Sequence, residues 1–286
     1  MIETSPEVDG SLVPGGAGPW RVAAVQMVSG PQVEPNLARA GELLAEAAAG
    51  GARLAVLPEY FALIGRQDGD KLAVREPFGE GPIQTFLAQS ARRHGLWLVG
   101  GSIPLEAPDP SRVFNACLLF DPQGRCAARY DKMHLFGLDL PGARFDESRS
   151  VLAGARPCSV DTPLGRLGLS VCYDVRFPEL YRGLGEPDVI CVPSAFTVPT
   201  GRAHWEVLLR ARAIENQAWV VAAAQGGVHP TGRETWGHSL VVDPWGDVVA
   251  SRPQGPGVVF ATIDPRRLQD VRARLPALRH RRARPA

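Results

Sequence analysis

The sequence predicts an α/β domain in which apolar strands alternate with amphipathic helices and two similar halves follow one another. Three observations support this prediction. Apolar runs of strand length alternate along the chain with longer segments of helical periodicity. The turn sequences at 121–124 and 243–246 are alike, as if each half used the same hairpin. The chain has 286 residues, 45% of them hydrophobic, which is enough for one large core.

The first half begins with a buried strand and continues with two helix–strand repeats. Each helical pattern stops at a glycine, Gly50 or Gly95, the residue type that most often follows a helix. Pro58 closes the second strand. The predicted elements are strand 21–27, helix 37–49, strand 54–57, helix 83–94 and strands 96–100 and 113–121.

The second half repeats this order around one long helix. Val207, Leu208, Ala211 and Ile214 form the apolar face of that helix and are therefore expected to pack on the sheet. The predicted elements are strands 167–171 and 189–193, helix 205–217, and strands 219–225, 239–243 and 258–263.

One domain over residues 20–265 accounts for this pattern, since no internal segment has the composition of a linker. Residues 1–19 lack the basic start and apolar centre of a signal peptide and predict a flexible leader. The arginine-rich residues 266–286 predict a tail that frays or lies over a partner at a dimer contact. Its basic cluster 279–284 is an anion-binding patch or, as we favour, a solvated terminus.

Composition argues against several classes of partner and cofactor. The formal net charge of +1 gives no reason to expect nucleic acid or a membrane surface, and no apolar run approaches bilayer-spanning length. Five scattered cysteines, an odd number without metal-site spacing, predict a reduced, cytoplasmic chain without a metal. Nucleotide-binding glycine loops are absent from the sequence, so we expect no organic cofactor.

Three strand ends carry side chains capable of chemistry. The first is Pro58-Glu59, where an acidic residue follows an apolar strand directly. Glu59 is either a general base, with a pKa raised by partial burial, or a loop glutamate that caps the next segment. Taken alone, the segment favours the second interpretation.

The second strand end is the segment 130–136, which places Lys132 among apolar neighbours. A buried lysine needs an acidic partner, and a fixed ammonium could then stabilise an oxyanion; otherwise the side chain extends to water. His134 has no second ligand at metal spacing, which favours a structural hydrogen bond.

The third strand end leads into Cys172, where an apolar run changes to a polar turn. A cysteine at such a strand-to-helix turn lies near free backbone N–H groups that stabilise a thiolate or an oxyanion. The alternative is a buried cysteine in a core strand, which suits Cys117 and Cys191 better.

Taken together and in this order, these segments resemble the nitrilase superfamily of carbon–nitrogen hydrolases. The motifs are Pro58-Glu59, then Asp131-Lys132-Met133-His134-Leu135-Phe136, then the run 172–179 that begins Cys172-Tyr173-Asp174. Segments 193–196, 200–206, 210–215, 222–225 and 237–239 are most similar to the branch of deaminated glutathione amidases and the related ω-amidases.

This resemblance implies a four-layer αββα sandwich, a homodimer that pairs through outer helices and C-terminal segments, and a catalytic Glu59, Lys132 and Cys172. A second family glutamate matches Glu147. The implied activity is thiol-dependent hydrolysis of a linear primary amide bearing a carboxylate, giving an acid and ammonia through an acyl-thioester on Cys172. Alternatives are a carbamoyl-amide hydrolase, a nitrilase, and a non-catalytic binding scaffold.

Substrate contacts are expected from residues near the nucleophile in sequence. The backbone N–H of Tyr173 would join Lys132 in holding the oxyanion. Phe196 and Thr197, and the segment 225–235 as a lid, would line the pocket. Arg176 either binds a substrate carboxylate or pairs with Glu179 or Asp174. We favour the second interpretation because unpaired buried charges are rare in proteins.

Overall fold

Two β-sheets pack face to face with helices on their outer surfaces in the computed structural model, which describes residues 18–140 and 143–282. The layers run helix, sheet, sheet, helix, which confirms the predicted α/β sandwich. The predicted leader, apart from residues 18 and 19, lies outside the described residues. None of the described helices is long and apolar enough to cross a bilayer.

The first half supplies most of one sheet and the helices that cover it. Its elements are β1 (Trp20–Gln26), α1 (Val33–Ala49), β2 (Ala52–Val56), α2 (Asp70–Ala73), α3 (Pro82–His94), β3 (Trp97–Val99), β4 (Ile103–Glu106), β5 (Val113–Phe120), β6 (Cys126–Asp131), β7 (Gly137–Leu140) and β8 (Ala143–Asp146). A 3₁₀ turn at Glu147–Arg149 follows β8.

The second half supplies the other sheet. Its elements are β9 (Cys158–Thr162), β10 (Gly165–Leu169), α4 (Pro178–Gly183), β11 (Val189–Ser194), α5 (Val198–Asn216), β12 (Trp219–Ala224), β13 (Gly226–Val228), β14 (Glu234–Trp236), β15 (Ser239–Val242), β16 (Val248–Arg252), β17 (Gly257–Ile263) and α6 (Pro265–Arg274). A 3₁₀ turn at Cys172–Arg176 follows β10.

Each sheet has a parallel centre flanked by antiparallel strands. The first sheet runs β17-β1-β2-β3-β5-β4, with β6 also paired to β5, and the second runs β16-β15-β12-β11-β10-β9. Strands β1, β2 and β3 are parallel, as are β10, β11 and β12. The carboxyl ends of these strands therefore lie at one edge of each sheet, where α/β proteins commonly place their functional groups.

Alternate residues of β1 serve two separate cores. Val22 and Ala24 belong to the core between the two sheets, whereas Ala23 and Val25 belong to the core beneath α1 and α3. Both faces of the strand are thus buried, which explains its continuous apolar sequence. Burial of an aliphatic side chain of this kind contributes about 1.5–3 kcal/mol.

The two similar turns of the sequence form equivalent hairpins. Asp121 joins β5 to β6, and its carboxylate accepts backbone N–H bonds from the residues two and four positions later. Asp243 joins β15 to β16 and accepts the same pair of bonds. The prediction that the two turns form similar hairpins is confirmed by these matching bonds to the aspartate side chains.

Helix α5 differs from its prediction in both its start and its buried face. It begins at Val198 rather than 205, because Pro199 lies in the first turn, where no backbone N–H bond is lost. Val207 and Ile214 are exposed, so the predicted packing face is wrong for these two residues, whereas Leu208 packs against the core. The buried face includes the polar residues Arg212 and Asn216, whose side chains donate to backbone carbonyls.

The first nine residues of the predicted tail, 266–274, lie in helix α6, which begins at Pro265. Asp264 caps the helix by accepting the Arg266 N–H at 2.9 Å, and Leu268 and Val271 are buried beneath it. Arg272 pairs with Asp188 at 2.9 Å and so ties the helix to the start of β11. A dimer contact by this region stays a prediction.

Candidate active site

The three strand ends singled out in the sequence meet in one cavity. Glu59 follows β2 and Lys132 follows β6, both in the first sheet, whereas Cys172 follows β10 in the second. Together with Glu147, they line one cavity. The cavity therefore spans the junction between the two sheets.

Lys132 connects the two carboxylates. Its Nζ lies 2.9 Å from Glu59 Oε1 and 2.8 Å from Glu147 Oε2, and the lysine is only 1% exposed. An ammonium has three N–H donors, so one remains after these two bonds. The free donor is suited to a developing negative charge on a substrate oxygen.

The ion network fixes the charge of its members. Burial lowers the pKa of Lys132, but Glu147 and Glu59 together raise it well above its ordinary value, so the ammonium stays charged. Burial raises the pKa of Glu147, yet the charge and hydrogen bond of Lys132 bring it down to about 2. Near neutral pH, Lys132 and Glu147 therefore form a charged pair.

Two further side chains hold the carboxylates in place. Asn115, fully buried in β5, donates to Glu59 Oε1 at 3.0 Å and to Glu147 Oε1 at 3.2 Å. The Tyr60 hydroxyl donates to Glu147 Oε1 at 2.9 Å. Lys132 and Asn115 thus both donate to Oε1 of Glu59, and neither of them donates to Oε2.

Cys172 is held at a strained backbone position. Its φ of +51° lies in the left-handed region, which costs a non-glycine residue free energy and often marks a functional site. Burial raises the pKa of its thiol, and the negative charge of Glu59 raises it further, while Lys132 and the Ala195 N–H act in the opposite direction. The sulfur is therefore kept as a thiol beside a carboxylate.

Asp174 anchors the turn that carries Cys172. Its buried carboxylate accepts the Val171 N–H at 2.8 Å, the Tyr130 hydroxyl at 2.7 Å and the His134 N–H at 3.0 Å. The His134 ring Nδ1 lies 2.8 Å from the same group. The structural hydrogen bond predicted for His134 is confirmed.

The remaining sequence-predicted residues also line the cavity. Tyr173, Arg176, Phe196 and Thr197 all contribute to its wall. The backbone N–H of Tyr173 finds no acceptor among the described residues, so it can bind an oxyanion.

Arg176 does not form the ion pair that the sequence favoured. The guanidinium lies 5.5 Å from the Tyr173 ring centre and 5.4 Å from that of Phe196, and its Nη1 is 3.2 Å from His204 Nδ1. Asp174 is fully occupied by its own donors, which is why it is unavailable to Arg176. Arg176 is left facing the cavity.

Sequence reasoning missed Tyr60, Asn115, Lys71 and Arg233, which the structure also places at this site. Asn115 had a detectable signal, because a polar residue interrupts an otherwise apolar strand. The segment 225–235 contains strand β13 and the start of β14, which pair as a hairpin, and Arg233, in the loop between these strands, lines the cavity. Within the described ranges no three His, Cys, Asp or Glu side chains converge as metal ligands would.

Comparison with known proteins agrees with this geometry. Residues 21–273 match the carbon-nitrogen hydrolase family. A deaminated glutathione amidase from Synechocystis sp. is 43% identical over 269 residues, covering 92% of this chain and 98% of the relative.

Two solved structures extend the comparison. Saccharomyces cerevisiae Nit3, a member of the nitrilase superfamily, superposes with a TM-score of 0.84 at 30% identity, over 93% of this chain and 98% of Nit3. An amidase mutant from Nesterenkonia sp., described with acrylamide added at its active-site cysteine, has a TM-score of 0.73 at 28% identity, over 90% of this chain and 98% of its own. This chain belongs to the carbon-nitrogen hydrolase family, in the nitrilase superfamily, and is an amidase.

Proposed function

We propose that Cys172 is the nucleophile of this amidase, that Glu59 is its general base and acid, and that Lys132 stabilises the oxyanion. The observation that supports this most strongly is the meeting of Glu59, Lys132, Glu147 and Cys172 in one cavity, although the chain brings them from four separate segments. A buried base beside a thiol and a fixed cation is the arrangement that acyl transfer requires.

The acylation step follows from the charges. The Cys172 sulfur attacks the amide carbon while its proton passes to Glu59 Oε2, the oxygen not engaged by Lys132 or Asn115. The third N–H of Lys132 and the N–H of Tyr173 hold the tetrahedral oxyanion. Glu59 then gives the proton to the departing amine, the C–N bond breaks, and a thioester remains on Cys172.

Deacylation uses the same groups in reverse. Glu59 removes a proton from water as the water attacks the thioester carbon; the C–S bond then breaks, the acid leaves, and Glu59 returns the proton to the Cys172 sulfur. Glu147 contacts no reacting atom in this scheme; it fixes the Lys132 ammonium, helped by Tyr60 and Asn115.

The substrate we propose is an amide of a carboxylate-bearing acyl group, of the deaminated glutathione or 2-oxo-acid ω-amide type. The relatives at about 43% identity are named for deaminated glutathione, and Arg176 faces the cavity to meet an acyl-side carboxylate. The leaving group differs between the two amides. A primary ω-amide releases ammonia, whereas deaminated glutathione, in which an oxo acid is joined to a peptide amine, releases that amine.

The alternatives drawn from the sequence are not favoured. The relatives are named as amidases rather than as carbamoyl-amide hydrolases or nitrilases. A binding scaffold does not need a buried thiol, base and cation in contact.

We also propose a homodimer and a cytoplasmic location. Val207 and Ile214, one helical heptad apart on α5, are exposed together with Trp245. A Cβ on Gly246 would lie 2.6 Å from Ile214, so the turn carrying Trp245 adjoins this helix face. Such a surface supports pairing through the outer helix layer. All five cysteines are free, as expected in a reducing compartment.

The test compares wild type with Cys172→Ala, Cys172→Ser and Lys132→Ala on deaminated glutathione, 2-oxo-acid ω-amides, carbamoyl amides and nitriles. Both freed amine and ammonia are measured. We expect turnover of the first two classes, its loss in Cys172→Ala and near loss in Cys172→Ser, and a fall in kcat of roughly 10²–10³ or more in Lys132→Ala. Retained turnover in Cys172→Ala, or a nearly unchanged kcat in Lys132→Ala, would refute the corresponding role.

A further inference from the structure

A second, cation-lined chamber adjoins the catalytic cavity. The two share a wall formed by Tyr60, Asp68, Lys71, Phe145 and Arg233. Beyond that wall the outer chamber is lined by further residues that include Arg66 and Thr231. Three cationic side chains and one acidic side chain therefore line the outer chamber, which favours an anion there.

Arg233 and Thr231 both line this chamber. Within the described part of the chain, Arg233 Nε and Thr231 Oγ1 are buried without a hydrogen-bond partner. Buried polar atoms are rarely left in this state. The guanidinium lies 5.9 Å from the Phe145 ring centre, which fixes it over the shared wall.

The hairpin that carries Arg233 is firmly held. Its buried His229 lies 2.8 Å from the Ser29 carbonyl through Nδ1 and 2.8 Å from Thr235 Oγ1 through Nε2. The His229 N–H also donates to the Arg233 carbonyl at 2.8 Å. Arg233 is thus pre-positioned before a ligand arrives, which reduces the entropy lost on binding.

Lys71 is the second cationic residue of the wall that the two cavities share. Its Nζ lies 5.4 Å from the centre of the Tyr60 ring. Among the described residues, no carboxylate oxygen lies within 4.0 Å of the charged nitrogens of Lys71 or Arg233. Both cations are therefore available to an external anion.

The position of this pair relative to the base indicates which part of a substrate it meets. Glu59 must give its proton to the departing nitrogen, so the amine side of the substrate lies near Glu59. Tyr60 is the next residue, and Lys71 lies over its ring. Arg176 instead lies against Tyr173 and Phe196 and does not line the outer chamber.

We propose that Lys71 and Arg233 bind a carboxylate on the leaving-amine side of the substrate, while Arg176 meets the acyl-side carboxylate. This inference rests on the proposed function and deepens it, because it makes the preferred substrate an amide with a carboxylate at both ends. A peptide amine is then preferred over ammonia as the leaving group, with selectivity set by the outer chamber.

The test varies the leaving-side carboxylate. Wild type, Arg233→Gln, Lys71→Met and the control Arg53→Gln, an exposed β2 residue outside both chambers, are assayed on deaminated glutathione and on its analogue with a carboxamide in place of the glycine carboxylate. We expect wild type to prefer deaminated glutathione over its carboxamide analogue. Arg233→Gln and Lys71→Met should each lower the ratio of kcat/KM for deaminated glutathione to kcat/KM for the analogue by about 10- to 100-fold. Arg53→Gln should keep the wild-type ratio, and Arg233→Lys should restore part of it.

An equal loss of kcat/KM on both substrates, or no loss on either, would overturn the proposal, since a merely structural role cannot distinguish the carboxylate from the carboxamide. A binding measurement separates this result from a failure of the proposed function. Cys172→Ala, with and without Arg233→Gln, is titrated calorimetrically with both compounds. If wild type turns over neither compound, the proposed function fails; if Cys172→Ala binds both equally, the carboxylate site fails. If Arg233→Gln does not fold, the same comparison of the two substrates with Lys71→Met tests the proposal.

Discussion

At the scale of single residues, the site depends on one lysine shared between two buried carboxylates. Removing either carboxylate changes the net charge of this buried network. Such a change lowers the free energy of unfolding more than the loss of a surface ion pair does. Glu147 is the informative member, because its pKa of about 2 lies well below its ordinary value of 4.5 and it touches no reacting atom in the proposed mechanism.

Glu147→Gln is expected to give a pH-dependent loss of stability. The native pKa is lowered, so the charge of Glu147 stabilises the fold above pH 4.5, and this contribution disappears as the pH falls towards 2. A shift from 4.5 to about 2 corresponds to roughly 3 kcal/mol in order of magnitude. Urea unfolding of wild type and Glu147→Gln at pH 7 and at pH 3 measures this contribution to the free energy of unfolding.

The difference between wild type and Glu147→Gln should be clearly smaller at pH 3 than at pH 7. Glu46→Gln, an exposed change on α1, serves as the control and should show no such trend. A difference that is constant over this pH range would contradict the assigned charge of Glu147.

The sequence revealed the reactive residues better than their supports. Glu59 and Cys172 could be selected because each follows an apolar strand, Lys132 because it lies among apolar neighbours, and all three because their motifs share one family pattern. Lys71 and Arg233 could not, because they line the same chamber from segments far apart in the chain, and no local pattern encodes that placement. Arg176 was assigned an acidic partner because nothing local shows that other donors already occupy Asp174.

At the scale of elements, the 3₁₀ turn Cys172–Arg176 positions the sulfur and Asp174 holds the turn. Continuous apolar runs made the central strands predictable, whereas β6, with little buried surface, gave no such signal. Helix starts were placed late at α1 and α5, because Pro35 and Pro199 were not counted as first-turn residues.

Asp174→Asn is expected to damage both stability and turnover. An amide in place of the carboxylate directs an N–H group at one of the present donors, so at least one charge-assisted bond is replaced by a clash of donors. We expect a loss of about 2 kcal/mol or more in unfolding free energy, and a fall in kcat of about tenfold or more as Cys172 shifts from Glu59.

Chemical denaturation and steady-state kinetics measure these effects side by side. The matched control is Asp161→Asn, whose side chain is 82% exposed and contacts Arg166 at 3.3 Å. Because surface ion pairs contribute little, this control should stay close to wild type. If both variants behaved alike, Asp174 would not anchor the turn.

At the scale of the whole molecule, the outer face of α5 exposes apolar side chains that contacts within one chain do not cover. Val207 is 61% exposed and Ile214 48%, on a helix whose opposite face is fully packed. Trp245 adjoins them at the β15–β16 turn. Large apolar side chains grouped in this way commonly mark an interface.

Val207→Glu combined with Ile214→Glu is expected to convert a dimer to a monomer, because both charges would be buried against the partner without a counter-ion. Light scattering coupled to size-exclusion chromatography reads the mass directly. Val228→Glu, an exposed apolar residue on β13, is the control and should leave the mass unchanged. A dimer that persists in the double variant would place the interface elsewhere.

The cavity that spans the junction of the two sheets has one more consequence. In the proposed mechanism the proton acceptor and the cation follow strands of one sheet and the sulfur follows a strand of the other, so neither sheet alone carries a complete site. The three groups come together only when the two sheets dock. A partly folded chain with both sheets formed but undocked would carry the Cys172 sulfur without its base and without its cation.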